Sequence, residues 1–241
     1  MLKLKHYQKE CLDVLKEYLE EASIFGAQDA FARVVKKHPS DIRQTGYRVR
    51  WELENVPYVC LRLPTGGGKT LLAAHSVGLA AQYFLNREKP LVLWLVPTNT
   101  IRKQTVQALK QASHPYREAL NAAFGVQGVS VFDVEDINAI RSEDLFKTAC
   151  IIVATMQTFR VADSNKDARK IYGENENFEQ HFRLLPNTDP ALDKSESGEV
   201  LHSFVNLVHQ LCPLMIVDEA HKMISQLSGE VVPAGSVRFI V

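Results

Sequence analysis

Four short apolar runs recur along the chain with hardly a polar residue inside them: "YVCLRL" at 58–63, "LVLWLV" at 91–96, "CIIVA" at 150–154 and "LMIV" at 214–217. A strand with one face in water alternates apolar and polar residues, whereas a strand covered on both faces does not. These runs therefore predict strands of a parallel sheet buried between two layers. The stretches between them read as helices, notably "TLLAAHSVGLAAQYFL" at 70–85 and "TIRKQTVQALKQA" at 100–112. Strand and helix alternate, so the expected fold is α/β, a mostly parallel central sheet flanked by helices. The tract "VSVF" at 129–132 is a further candidate strand.

Ahead of the sheet, residues 4–22 place Leu4, Tyr7, Cys11, Leu15, Tyr18 and Leu19 at three- and four-residue spacing, the mark of an amphipathic helix. Gln8 lies on the same face, so its amide needs a hydrogen-bonding partner inside the protein. Residues 23–57 are less regular, with a helix around "AQDAFARVVKKH" and a basic stretch holding Arg33, Lys36, Lys37, Arg43, Arg48 and Arg50. That stretch is either a nucleic-acid contact or a solvated face. Between about 162 and 199 the chain turns polar, which predicts an insertion that is partly ordered at best. The expected division is an N-terminal helical segment over 1–57, a main domain over 58–224 and an atypical tail over 225–241.

With 241 residues and 46% apolar composition the chain can bury a sizeable core. Its 28 basic and 28 acidic side chains cancel, which excludes a whole-surface basic footprint and leaves room for a local one. Cys11, Cys60, Cys150 and Cys212 are far apart with no CxxC pair, the pattern of free thiols in a reducing compartment. The N-terminus has no apolar signal core and no run approaches the ~20 residues of a membrane span, so a cytoplasmic location with no membrane partner is expected.

The chemistry concentrates in "LRLPTGGGKT" at 61–70, where an apolar run breaks into Pro64, Thr65, three glycines, Lys69 and Thr70. A glycine loop between a strand and a helix is the phosphate-binding arrangement of P-loop proteins. Gly66, Gly67 and Gly68 let backbone N–H groups converge on phosphate oxygens, and the positive end of the next helix faces the same anion. Lys69 supplies a point charge to the terminal phosphates, and the Thr70 hydroxyl is placed to ligate magnesium. The general pattern wants a glycine where Leu63 stands, a departure shared by many nucleic-acid-dependent ATPases. A second acidic strand end is needed, and "LMIVDEAHKM" supplies Asp218 for magnesium and Glu219 to orient and deprotonate the attacking water.

PTGGGKT at 64–70 and DEAH at 218–221 together resemble motifs I and II of superfamily 2 helicases and translocases. The resemblance implies a RecA-like domain, ATP and Mg2+ as cofactors, and nucleic acid, DNA before RNA, as the track. "LKHYQKECLDVL" resembles the start of type I and type III restriction-enzyme motor subunits, with Gln8 at the place of the adenine-reading glutamine. The other reading of Gln8 is a core-facing amide bonded to backbone. "LWLVPTNTIRKQT" and "IIVATMQTF" resemble motifs Ia and Ib, which implies nucleic-acid contacts by Thr98, Asn99, Thr155 and Gln157. Either threonine could equally cap the helix that follows its strand. His221 would couple the ATP site to motif III, and a methyltransferase or specificity subunit or a second motor domain would be the partner.

The family's motif III and second RecA-like domain have no counterpart in "KMISQLSGEVVPAGSVRFIV", and the apolar "VRFIV" is unlike a solvated terminus. The expectation is a truncated first motor domain. An arginine finger from a second domain contributes roughly 10³–10⁵ in rate, so this chain alone is expected to bind ATP far better than it hydrolyses it. Two other readings stay open: a P-loop ATPase indifferent to nucleic acid, and an inactive fragment.

Overall fold

The computed structural model describes residues 3–38, 47, 56–159, 170–185, 189–218 and the backbone of 239–240. Its centre is a parallel sheet of β1 (Leu91–Val96), β2 (Val129–Asp133), β3 (Ala149–Thr155), β4 (Leu214–Val217) and a two-residue β5 (Phe239–Ile240). The strands lie in the order β2-β3-β1-β4-β5, and each pairing is parallel. β1, β3 and β4 are buried at every position, as unbroken apolar runs require.

Successive residues of these strands feed two cores. Val92, Trp94, Val96, Ile151, Val153, Leu214 and Ile216 face one layer, and Leu93, Leu95, Ile152, Ala154, Met215 and Val217 face the other. The first layer is built by α1 (His6–Phe25), α2 (Ala27–Lys37), α3 (Lys69–Ala80), α4 (Asn99–Lys110) and α5 (Pro115–Phe124). α3 runs on into a π turn at Ala81–Leu85 and ends at Asn86, which takes the left-handed conformation. Further along the chain lie α6 (Ser142–Lys147), α7 (Glu179–Phe182) and α8 (Phe204–Leu211). Phe178, Phe182, Phe204 and Leu207 pack the opposite face of the sheet, giving three layers.

One predicted strand differs from the reading of the sequence. Residues 58–63 form no strand of the sheet; only Tyr58 makes a bridge. The run contains Arg62, and Cys60 and Arg62 are exposed while Val59 and Leu61 pack on the core, so it has one wet face rather than two dry ones. The polar tract around 162–199, expected as an insertion, contributes Ile171, Phe178, Phe182 and Leu192 to the buried core over its described part. From the tail, Phe239 and Ile240 extend the sheet beside β4, in register with Leu214 and Met215.

Candidate nucleotide-binding site

The glycine loop is held by its own backbone and by α1. Gly67 N–H donates to the Pro64 carbonyl at 2.9 Å, closing a tight turn in which Gly66 takes φ +76°. Gly68 follows at φ +85° as the residue before α3, and a Cβ there would lie 2.5 Å from Gln8 Nε2. A Cβ on Gly67 would lie 2.8 Å from the Pro64 carbonyl oxygen. Bare backbone is therefore required at each of the three glycines, twice by conformation and twice by contact. The first bond from α3 back to the loop is Leu72 N–H to the Gly68 carbonyl, at 3.0 Å. The N–H groups of Gly68, Lys69, Thr70 and Leu71 have no backbone acceptor among the described residues, and the helix dipole adds its positive end there.

The sheet delivers a carboxylate to the same place. Leu95 of β1 stands beside Val217 of β4, and the N–H of Asp218, one residue past β4, donates to the Leu95 carbonyl at 2.9 Å. This fixes the backbone of Asp218 at the carboxyl end of the sheet, where open α/β folds gather ligands. Thr70 Oγ1, in the first turn of α3, donates to Asp218 Oδ2 at 2.8 Å. A hydroxyl and a carboxylate in contact fit a magnesium ion, which accepts one or two protein oxygens and fills its octahedron with water and phosphate. Among the described residues no cluster of three or more His, Cys, Asp or Glu is placed to hold a metal.

Gln8 is buried at 6% exposure and both ends of its amide are engaged. Nε2 donates to the Gly67 carbonyl at 2.8 Å, and Oε1 accepts from the Lys5 N–H at 2.9 Å. One N–H and one oxygen lone pair of the amide are left for other partners. Thr65 and Gly66 are exposed, Gly67 is buried, and Gly68, Lys69 and Thr70 are half-buried.

The remaining sequence candidates separate. Thr98 and Asn99 are exposed at the carboxyl end of β1, and Thr98 caps α4 by accepting from the Ile101 N–H at 3.3 Å. Gln157 is exposed just past β3. Thr155 is buried at 4%, its hydroxyl 3.1 Å from that of Thr158, so its side chain shapes the turn after β3 and does not reach the surface. Glu219, His221, Arg43, Arg48 and Arg50 lie outside the described residues.

Two features were missed in the sequence. Tyr7 donates its hydroxyl to the Gly67 carbonyl at 3.0 Å, whereas the spacing assigned it only a place on the apolar face of α1 beside Gln8. Arg102 of α4 is buried at 1% between Asp133 and Glu135, an ion pair across 31 residues that no local pattern announces. A groove of about 650 Å³ lies between α1, the far end of α3 and α5, lined by Asp13, Lys16, His75 and Lys89 among others. No residue of the glycine loop lines it.

A parallel sheet between two helical layers, with a glycine loop feeding the helix beside its central strands, is a RecA-like α/β domain. The family model described as type III restriction enzyme, res subunit, matches residues 1–238, and the chain belongs to that family. Membership brings with it an ATP-binding, helicase-like motor domain. No curated protein and no solved structure matches the chain. Among the described residues no helix is long and apolar enough to cross a membrane.

Proposed function

We propose that residues 64–70 bind the phosphates of ATP, that Thr70 and Asp218 hold the accompanying Mg2+, and that the chain serves as the first motor domain of a nucleic-acid translocase. The observation that carries this reading is the 2.8 Å contact between Thr70 and Asp218, side chains 148 residues apart in sequence. Neither a solvated turn nor an ordinary helix start accounts for their meeting. Lys69, at the first position of α3, supplies positive charge to the terminal phosphates. Bound magnesium supplies charge neutralisation between the phosphates, and Glu219 is the group proposed to activate water in the complete protein. DNA is the proposed track. Thr98, Asn99 and Gln157 are its candidate contacts, and Thr155 is reassigned to holding the turn. Such hydroxyl and amide contacts to a sugar-phosphate backbone carry no sequence information, as a stepping motor needs. A second motor domain and a methyltransferase or specificity subunit are the proposed partners.

Asp218→Asn tests the assignment, because it keeps the shape and the hydrogen bond to Thr70 but removes the charge. The expected result is ATP binding that no longer responds to magnesium, read by titration with and without the ion. Magnesium dependence equal to that of the unaltered chain would exclude Asp218 from the metal site.

A further inference from the structure

Tyr7 has no place in the site as assigned above, yet it reaches the centre of the loop. Its hydroxyl and the Gln8 amide donate to one and the same oxygen, the Gly67 carbonyl, at 3.0 and 2.8 Å. Consecutive helix residues point about 100° apart and do not normally share a target, so this convergence is not a by-product of helical periodicity. A carbonyl oxygen has two lone pairs, and both are now engaged.

The peptide that carries this oxygen also carries the Gly68 N–H. No peptide bond of the described chain is cis, and in a trans peptide the C=O and N–H point to opposite sides. Anchoring the carbonyl toward α1 therefore turns the Gly68 N–H away from α1. Glycine on both sides of this peptide offers little steric resistance to its rotation, so the orientation depends on what grips the oxygen. Gly68 N–H heads the row of donors without backbone acceptors that continues through Lys69 and Thr70.

We propose that Tyr7 is a positioning residue for the phosphate loop: with Gln8 it locks the Gly67–Gly68 peptide in the orientation that presents the Gly68 N–H to a bound phosphate. This rests on the reading of residues 64–70 as a phosphate site. With the hydroxyl removed, one grip remains and the peptide samples orientations that do not bind. The apparent affinity then falls by the fraction of loops left competent. Tyr7 is 37% exposed and phenylalanine keeps its ring, so Tyr7→Phe opens no cavity and changes the packing little.

The experiment displaces a fluorescent ATP analogue from the unaltered chain, Tyr7→Phe and Lys69→Ala, with magnesium, using ATP and inorganic tripolyphosphate as competitors. The expected result is that Tyr7→Phe weakens ATP and tripolyphosphate by the same factor, about three- to tenfold, the worth of one hydrogen bond, with a melting temperature lowered by no more than about 4 °C. Tyr7→Phe binding both ligands as the unaltered chain does, while Lys69→Ala loses both, would overturn the positioning role and leave the phosphate site standing. A loss confined to ATP would place the hydroxyl against the nucleoside and overturn it equally. Full binding by Lys69→Ala would remove the phosphate-site reading itself, and the inference with it.

Discussion

Arg102→Ala is expected to cost about 3–5 kcal/mol of folding stability, the penalty for leaving a buried charge without its partner. Arg102 is 1% exposed on α4, its Nε stands 3.2 Å from Asp133 Oδ1, and its terminal nitrogen hydrogen-bonds Glu135. The Nε–H does not aim at an acceptor, so the link to Asp133 is Coulombic and the directed bond goes to Glu135. Arg102 accordingly holds the Glu135 carboxyl below the usual carboxylate range. Asp133, 7% exposed at the end of β2, also accepts the Glu135 N–H at 3.0 Å. Removing the guanidinium strands that carboxylate beside the sheet. Arg102→Met combined with Asp133→Asn removes both charges, keeps the acceptor for Glu135 and should recover most of the loss. Lys147→Ala breaks an exposed pair with Glu143 and should cost under about 1 kcal/mol. Urea unfolding of the three variants decides the matter, and an Arg102→Ala loss no larger than that of Lys147→Ala would contradict it.

Gly68→Ala should weaken ATP binding about 10- to 100-fold, and Gly66→Ala distinctly less, although both glycines have positive φ. The left-handed conformation costs an alanine about 1–2 kcal/mol at either position. At Gly66 the added methyl meets nothing within 4 Å, whereas at Gly68 it would lie 2.5 Å from Gln8 Nε2. Gln8 must then release the Gly67 carbonyl or the loop must move away from α1, and each disturbs the row of N–H donors. The excess of Gly68→Ala over Gly66→Ala isolates this contact from backbone strain. Nucleotide titration of both variants measures it, and equal losses would mean that the Gln8 contact has no part in binding.

The sheet was largely legible because burial on both faces removes polar residues from a strand. β1 and β4 coincide with "LVLWLV" and "LMIV", and β3 exceeds "CIIVA" by one residue at each end. "YVCLRL" misled because Arg62 marks an exposed face that a count of apolar residues passes over. The loop proposed to bind phosphate stands out by residue type alone, since glycines, a lysine and a threonine at that spacing have few other uses. What joins the loop to the rest of the molecule could not. Tyr7 and Gln8 act on a carbonyl about sixty residues away, and Arg102 on carboxylates in a separate element. Such partners are chosen by the packing of α1 and α4 on the sheet, which no local periodicity encodes. Thr155 shows the converse: a motif implied a nucleic-acid contact or a helix cap, and its hydroxyl is turned inward to Thr158.

The most direct test is a titration of the purified chain with a fluorescent ATP analogue and magnesium, beside Lys69→Ala. Saturable binding by the chain, lost in Lys69→Ala while both proteins show the same circular dichroism, is the predicted result and would mean that residues 64–70 cradle phosphate. Equal binding by the two folded proteins would contradict it and move the nucleotide away from the glycine loop.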